Sequence, residues 1–79
     1  MLKAHFYRIL KGAPASGMII TAIRTELSAV TGTRPGEAEM RELITDAESD
    51  GHISTDSDPL TGDRRIALNA AGRKFAKRL

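Results

Sequence analysis

The fold turns on Gly51-His52-Ile53-Ser54-Thr55-Asp56-Ser57-Asp58-Pro59-Leu60-Thr61-Gly62-Asp63-Arg64-Arg65-Ile66-Ala67-Leu68-Asn69, where a helical apolar repeat gives way to a period of two. Residues 52–55 and 65–68 read as short strands. Between them, residues 56–63 hold Asp, Ser, Pro and Gly, which favour turns through side-chain hydrogen bonds to the backbone or through preset dihedrals. The pair therefore reads as a hairpin with a long, mobile tip. Gly51 closes the helix before it, and Asn69 caps the helix after it.

Working upstream, Met40, Leu43, Ile44 and Ala47 form the apolar stripe of a third helix, with Pro35 suited to its first turn. Thr31-Gly32-Thr33-Arg34 is a short break. Ile19, Ile23, Leu27 and Val30 step along one face of a second helix, for which Ser16 is the candidate N-cap. Residues 13–16 connect it to a first helix built on Leu2, Phe6, Ile9 and Leu10, which Gly12 would end in a left-handed conformation. Downstream of Asn69, Phe75 and Leu79 sit four apart and face inward, leaving Arg73, Lys74, Lys77 and Arg78 outside. Met18, Met40 and Phe75 belong to the core, and Tyr7, the single tyrosine, could stack on a base or sugar, although one aromatic does not make a nucleic-acid platform.

The 79 residues make one domain, residues 1–79, because a second core would need more chain than the first leaves. Cysteine is absent, which excludes disulfides, thiolate zinc sites and a cysteine nucleophile and suits a reducing compartment. Met18-Ile19-Ile20 falls far short of the roughly 20 apolar residues of a membrane helix, and the N-terminus lacks a secretory apolar core. The expectation is a soluble, cytoplasmic, unprocessed protein with no membrane partner. His5 and His52 have no metal-ligand spacing, no Ser or Thr stands beside a base, and the carboxylates lie along one helix rather than converging. No enzyme activity, metal or cofactor is expected.

Net charge is +2, but it is distributed in blocks. Residues 1–34 set Lys3, Arg8, Lys11, Arg24 and Arg34 against Glu26. Residues 35–63 set Arg41 against Glu37, Glu39, Glu42, Asp46, Glu48, Asp50, Asp56, Asp58 and Asp63. Residues 64–79 carry Arg64, Arg65, Arg73, Lys74, Lys77 and Arg78 with no acid. The two basic ends could meet one polyanion together.

Three helices, a hairpin and a closing helix give the element order of a winged helix-turn-helix. The fold class is thus mostly α with a small β-hairpin: a three-helix bundle, a two-stranded wing and a C-terminal helix. Residues 32–73 resemble the DNA-reading half of the MarR-like regulators. Ala47-Glu48-Ser49-Asp50-Gly51-His52-Ile53 is similar to that family's helix end, with His52 where an apolar residue is usual. Asp58-Pro59, then Asp63-Arg64-Arg65, resembles its wing, in which an Asp-x-Arg or Asp-Arg-Arg tip is usual. Leu68-Asn69-Ala70-Ala71-Gly72-Arg73 resembles its Leu-Thr-x-x-Gly-Arg helix start, with Asn in the capping place of Thr. The resemblance implies binding to double-stranded DNA, with Arg64 or Arg65 as the minor-groove arginine and its Asp shaping the tip. The flanking helices through which those regulators dimerise are absent, so the oligomeric state stays open.

Under this reading Arg24, Thr33 and Arg34 contact backbone phosphates from the second helix and the turn, and Arg64 and Arg65 act from the wing. Arg73 and Lys74, with Lys77 and Arg78, add a phosphate-binding face. By the resemblance, Ala38, Glu39, Arg41 and Glu42 face the bases, although a helix this acidic is repelled by phosphate. The expected function is a small DNA-binding protein of bacterial or phage type, serving as a transcriptional regulator or accessory DNA binder. The rival is a protein-interaction module, adaptor or inhibitor, whose acidic third helix docks on a basic partner through Glu37, Glu39, Glu42 and Asp46. The bland alternative for the wing arginines is pairing with Asp56, Asp58 or Asp63 at a solvated tip.

Overall fold

The computed structural model describes residues 2–14 and 16–79. Helix α1 (Leu2–Lys11) buries Phe6, Tyr7 and Leu10, which recur at helical spacing. Strand β1 (Met18–Ile19) follows and runs directly into α2 (Ile20–Thr31), which buries Ile23 and Leu27. Gly32 ends α2 at a φ of 76°, its N–H bonded to the Ser28 carbonyl. The tight turn to the next helix is tied down by Arg24, whose Nε donates to the Pro35 carbonyl at 2.7 Å. Helix α3 (Glu37–Ser49) starts from Gly36, whose N–H donates to the Glu39 carboxylate at 3.3 Å, and buries Met40, Ile44 and Ala47.

Strands β2 (Ile53–Ser57) and β3 (Arg64–Leu68) then form the hairpin, and α4 (Ala70–Lys77) closes the chain. The molecule is mostly helical, with an antiparallel three-stranded sheet in the order β1-β3-β2. Ile66 lies opposite Met18 on one side and Thr55 on the other, and is fully buried. Leu68, opposite Ile53, is buried on the same face. Phe6, Tyr7, Leu10, Ile23, Leu27, Met40, Ile44 and Ala47 complete the core with these strand residues and Ala76.

One corner locks the helices to the sheet. Asn69 accepts the Gly72 N–H at 2.9 Å, capping α4, while its Nδ2 donates to the Gly51 carbonyl at 2.7 Å. Its own N–H donates to the His52 carbonyl. Gly72 packs so closely on that carbonyl that a Cβ there has no room.

Several sequence expectations change. The hairpin is not a free two-stranded ribbon, since β1 adds a third strand to it. That strand comes between Ser16 and α2, so the N-cap of the helix is Ile19 rather than Ser16, without a side-chain bond. Of the residues 13–16 read as the connector, Ala15 lies outside the described residues. Gly12 is not left-handed; Gly17 is, at φ 86°. Pro35 precedes the N-cap of α3 rather than entering its first turn. Val30 is exposed and Ile19 belongs to β1, so the α2 stripe reduces to Ile23 and Leu27. Leu79 is also exposed; α4 turns Gly72, Phe75 and Ala76 inward instead. The strands are longer than the alternation indicated. The tip shrinks to residues 58–63, braced by Asp58 N–H to Asp63 carbonyl, Gly62 N–H to Asp58 carbonyl and Leu60 N–H to Asp58 Oδ1. Asp58, rather than Asp63, supplies the shaping carboxylate.

Gly17 and Gly12 make a controlled comparison. A Cβ on Gly17 would stand 2.7 Å from the Ile66 carbonyl oxygen, in a left-handed conformation, whereas one on Gly12 meets nothing nearer than 3.8 Å. Urea unfolding of Gly17→Ala should show a loss of about 2 kcal/mol or more, through strain and displacement of β1 from β3. Gly12→Ala should be neutral or gain up to about 1 kcal/mol by restricting the unfolded chain.

Candidate nucleic-acid interface

A tight turn joins α2 to α3, and the hairpin reaches the C-terminal end of α3 through Arg64 and Glu48. A concavity of ≈ 390 Å³ opens between them. Ile20, Met40 and Ile44 give it an apolar floor, and Thr21 and Thr45 add hydroxyls. Its charged lining comes from separate parts of the chain: Arg24 on α2, Arg34 in the turn, Arg41 on α3 and Arg64 on β3, against Glu37 and Glu48. Four guanidiniums thus face two carboxylates, although α3, which supplies both carboxylates and Arg41, is strongly negative overall.

The reason is helical periodicity. Glu37, Arg41, Thr45 and Glu48 step by four, four and three, so they share the side of α3 that lines this groove. Glu39, Glu42 and Asp46 step along the other side. There, with Leu2, Lys3 and Leu43, they line a shallow depression of ≈ 170 Å³ against the start of α1. The acids that count against DNA in a linear reading are therefore largely sorted away from the arginines.

Strand register chooses between the two hairpin arginines. Ile66 and Leu68 point into the core, so Arg64 shares their face and leans over α3. Its guanidinium meets Glu48 at 3.5 Å, the one ion pair among the described residues. Pairing with Asp56, Asp58 or Asp63 is thereby replaced by pairing with α3. Both partners are half exposed, so the bond contributes no more than about 1 kcal/mol and can yield to another anion. Arg65 projects from the opposite face, across from Asp56 on β2 and Ile19 on β1. It does not reach the groove.

Of the remaining candidates, Thr33 sits in the turn beside Arg34, its backbone held by the Thr31 hydroxyl. Arg73 and Lys74 are exposed on α4, outside the groove lining. Thr21, Thr45 and Glu48 join the site unannounced by the sequence reading, which followed the apolar stripes. The signal was present in the polar spacing of Thr45 and Glu48 from Arg41.

Tyr7 is not available to a base. It is buried, with its hydroxyl paired to His52 Nδ1 at 2.8 Å, the imidazole tautomer setting which of them donates. His52 stacks on Phe75 with ring centroids 4.6 Å apart, and Lys3 lies 5.4 Å from the Phe75 centroid. Both histidines are half-buried. Among the described residues, no three metal-ligating side chains gather, and no helix is long and apolar enough to cross a membrane. Comparison with protein-family models, curated proteins and solved structures gives no match to this chain.

Burial first, then the nearby charges of Asp50 and Asp46, push the Tyr7 phenol above its ordinary value of 10.0. A folded-state value above the unfolded one means that the stabilisation is complete below pH 10 and is lost as pH climbs beyond it. Tyr7→Phe should cost about 1 kcal/mol near neutrality by removing the His52 hydrogen bond. The gap between variant and wild type in urea denaturation should then narrow above pH 10. A gap independent of pH would mean that the phenol ionises as freely in the folded protein as in the unfolded one.

Proposed function

We propose that this chain is a winged-helix DNA-binding protein, a transcriptional regulator or accessory DNA binder, that grips duplex DNA through the groove between α2, α3 and the hairpin. The observation carrying this reading is the convergence of Arg24, Arg34, Arg41 and Arg64 from four places in the sequence onto one concave face. A polyanion is the ligand that rewards such an arrangement, because each guanidinium can take a phosphate bidentately and release a condensed counterion. Arg24 is held in place beforehand by its bond to Pro35, which reduces the ordering cost of binding. Arg41, on the groove side of the helix that follows the tight turn, is positioned to read a guanine edge. Arg64, where β3 leaves the hairpin tip, exchanges Glu48 for phosphate.

The rival reading, in which α3 docks on a basic protein, draws support from the grouping of Glu39, Glu42 and Asp46 on the side away from the arginines. It leaves the groove unused and assigns Glu37 to the wrong side.

If three or four of the arginines each neutralise a phosphate, log affinity for random duplex should fall against log salt with a slope of roughly −3 to −4. No binding at low salt, or a flat response, would remove the DNA reading. Arg64→Ala should weaken binding and flatten the slope by about 1, whereas Arg65→Ala should leave both unchanged. Equal effects would mean that the hairpin does not present Arg64 selectively. Glu48→Gln should tighten binding by freeing Arg64 and removing a repulsive charge, with melting temperature nearly constant.

A further inference from the structure

The groove leaves the other side of α3 unexplained. On it Glu39, Glu42 and Asp46 form an acidic strip bordered by the half-buried apolar side chains of Leu2 and Leu43. Lys3 belongs to the same depression and also lies over the ring of Phe75, so α4 stands just beyond it. Lys74 and Arg78, one position before and three after Phe75, continue along its flank and are exposed. One face of the molecule thus carries, in sequence, a negative strip, an apolar seam of Leu2, Leu43 and Phe75, and a positive strip. Arg64–Glu48 is the one ion pair among the described residues, and neither strip contributes to it.

We propose that this face is the interface of a two-fold symmetric dimer of this chain. A half-turn rotation about an axis through the seam lays the α3 acids of one copy on the α4 cations of the other, and the same operation makes the reciprocal contact. The seam then buries its apolar side chains at the axis. Charge complementarity selects the occupant: the face matches itself after rotation, whereas a uniformly basic or acidic partner would be attracted by one strip and repelled by the other. The arginine groove, on the opposite side of α3, stays open in each copy. The inference goes beyond the DNA reading and does not require it, since none of its residues lines that groove.

Charge reversal tests it. Sedimentation equilibrium of the wild-type chain should give the mass of two chains at low salt and a shift toward one as salt screens the strips. Glu42→Lys with Asp46→Lys makes both strips positive, and Lys74→Glu with Arg78→Glu makes both negative. Each double variant alone should be monomeric, and an equimolar mixture should recover the two-chain mass, which misfolded variants could not do. A wild type monomeric at low salt, reversals that leave the mass unchanged, a mixture that stays monomeric, or growth beyond two chains would each overturn the proposal.

Discussion

Burial of Ile66 governs the rest of this structure. It sits in the central strand, paired on both sides and fully removed from water, and no neighbouring residue of β3 could replace it without turning the strand over. Because side chains alternate along a strand, a slip of one residue would expose Ile66 and Leu68, bury Arg65 and Ala67, and swing Arg64 away from α3. An apolar side chain thereby decides which of two adjacent arginines can take part in a polar site. Gly17 and Gly72 serve the same constraint from either side. The first lets the chain approach the Ile66 carbonyl, and the second lets α4 rest on the carbonyl that begins the hairpin.

Charge is organised by the same logic on α3. Burial of Met40, Ile44 and Ala47 fixes the rotation of the helix about its axis. That rotation sends Glu37, Arg41 and Glu48 toward the arginines of α2, the turn and β3, and sends Glu39, Glu42 and Asp46 toward α1. The block of acid in the middle of the sequence is thus divided between two surfaces of different character. A groove with an arginine majority and a face with alternating strips are consequences of one packing decision. Long-range charge on an exposed surface is screened within about 8 to 10 Å at physiological salt, so this local sorting matters more to a bound polyanion than the net charge of the helix.

The cluster of Tyr7, His52 and Phe75 makes the same point about polar atoms. Tyr7 follows Phe6 on α1, and both are drawn inward because the helix packs against α2 on one side and α4 on the other. The phenol can be buried there because His52, 45 residues away, meets it. An unpaired hydroxyl in that position would cost about 1 to 3 kcal/mol.

The helices, their order and the hairpin are all legible in the sequence. Those depend on local periodicity and on residues such as Gly32, Gly51 and Asn69, whose preferences act within a few positions along the chain. The sequence also determined which residues carry charge. Where that charge works depends on packing between distant parts of the chain. Two residues at β1, too short for any periodicity to register, became a strand because β3 was there to pair with them. Tyr7 became a core residue because His52 lay across from it. Arg64 was separated from Arg65, and Glu37 and Glu48 from Glu39, Glu42 and Asp46, by strand register and helix rotation. Both quantities are set by burial against distant parts of the chain, contacts that a linear pattern does not contain.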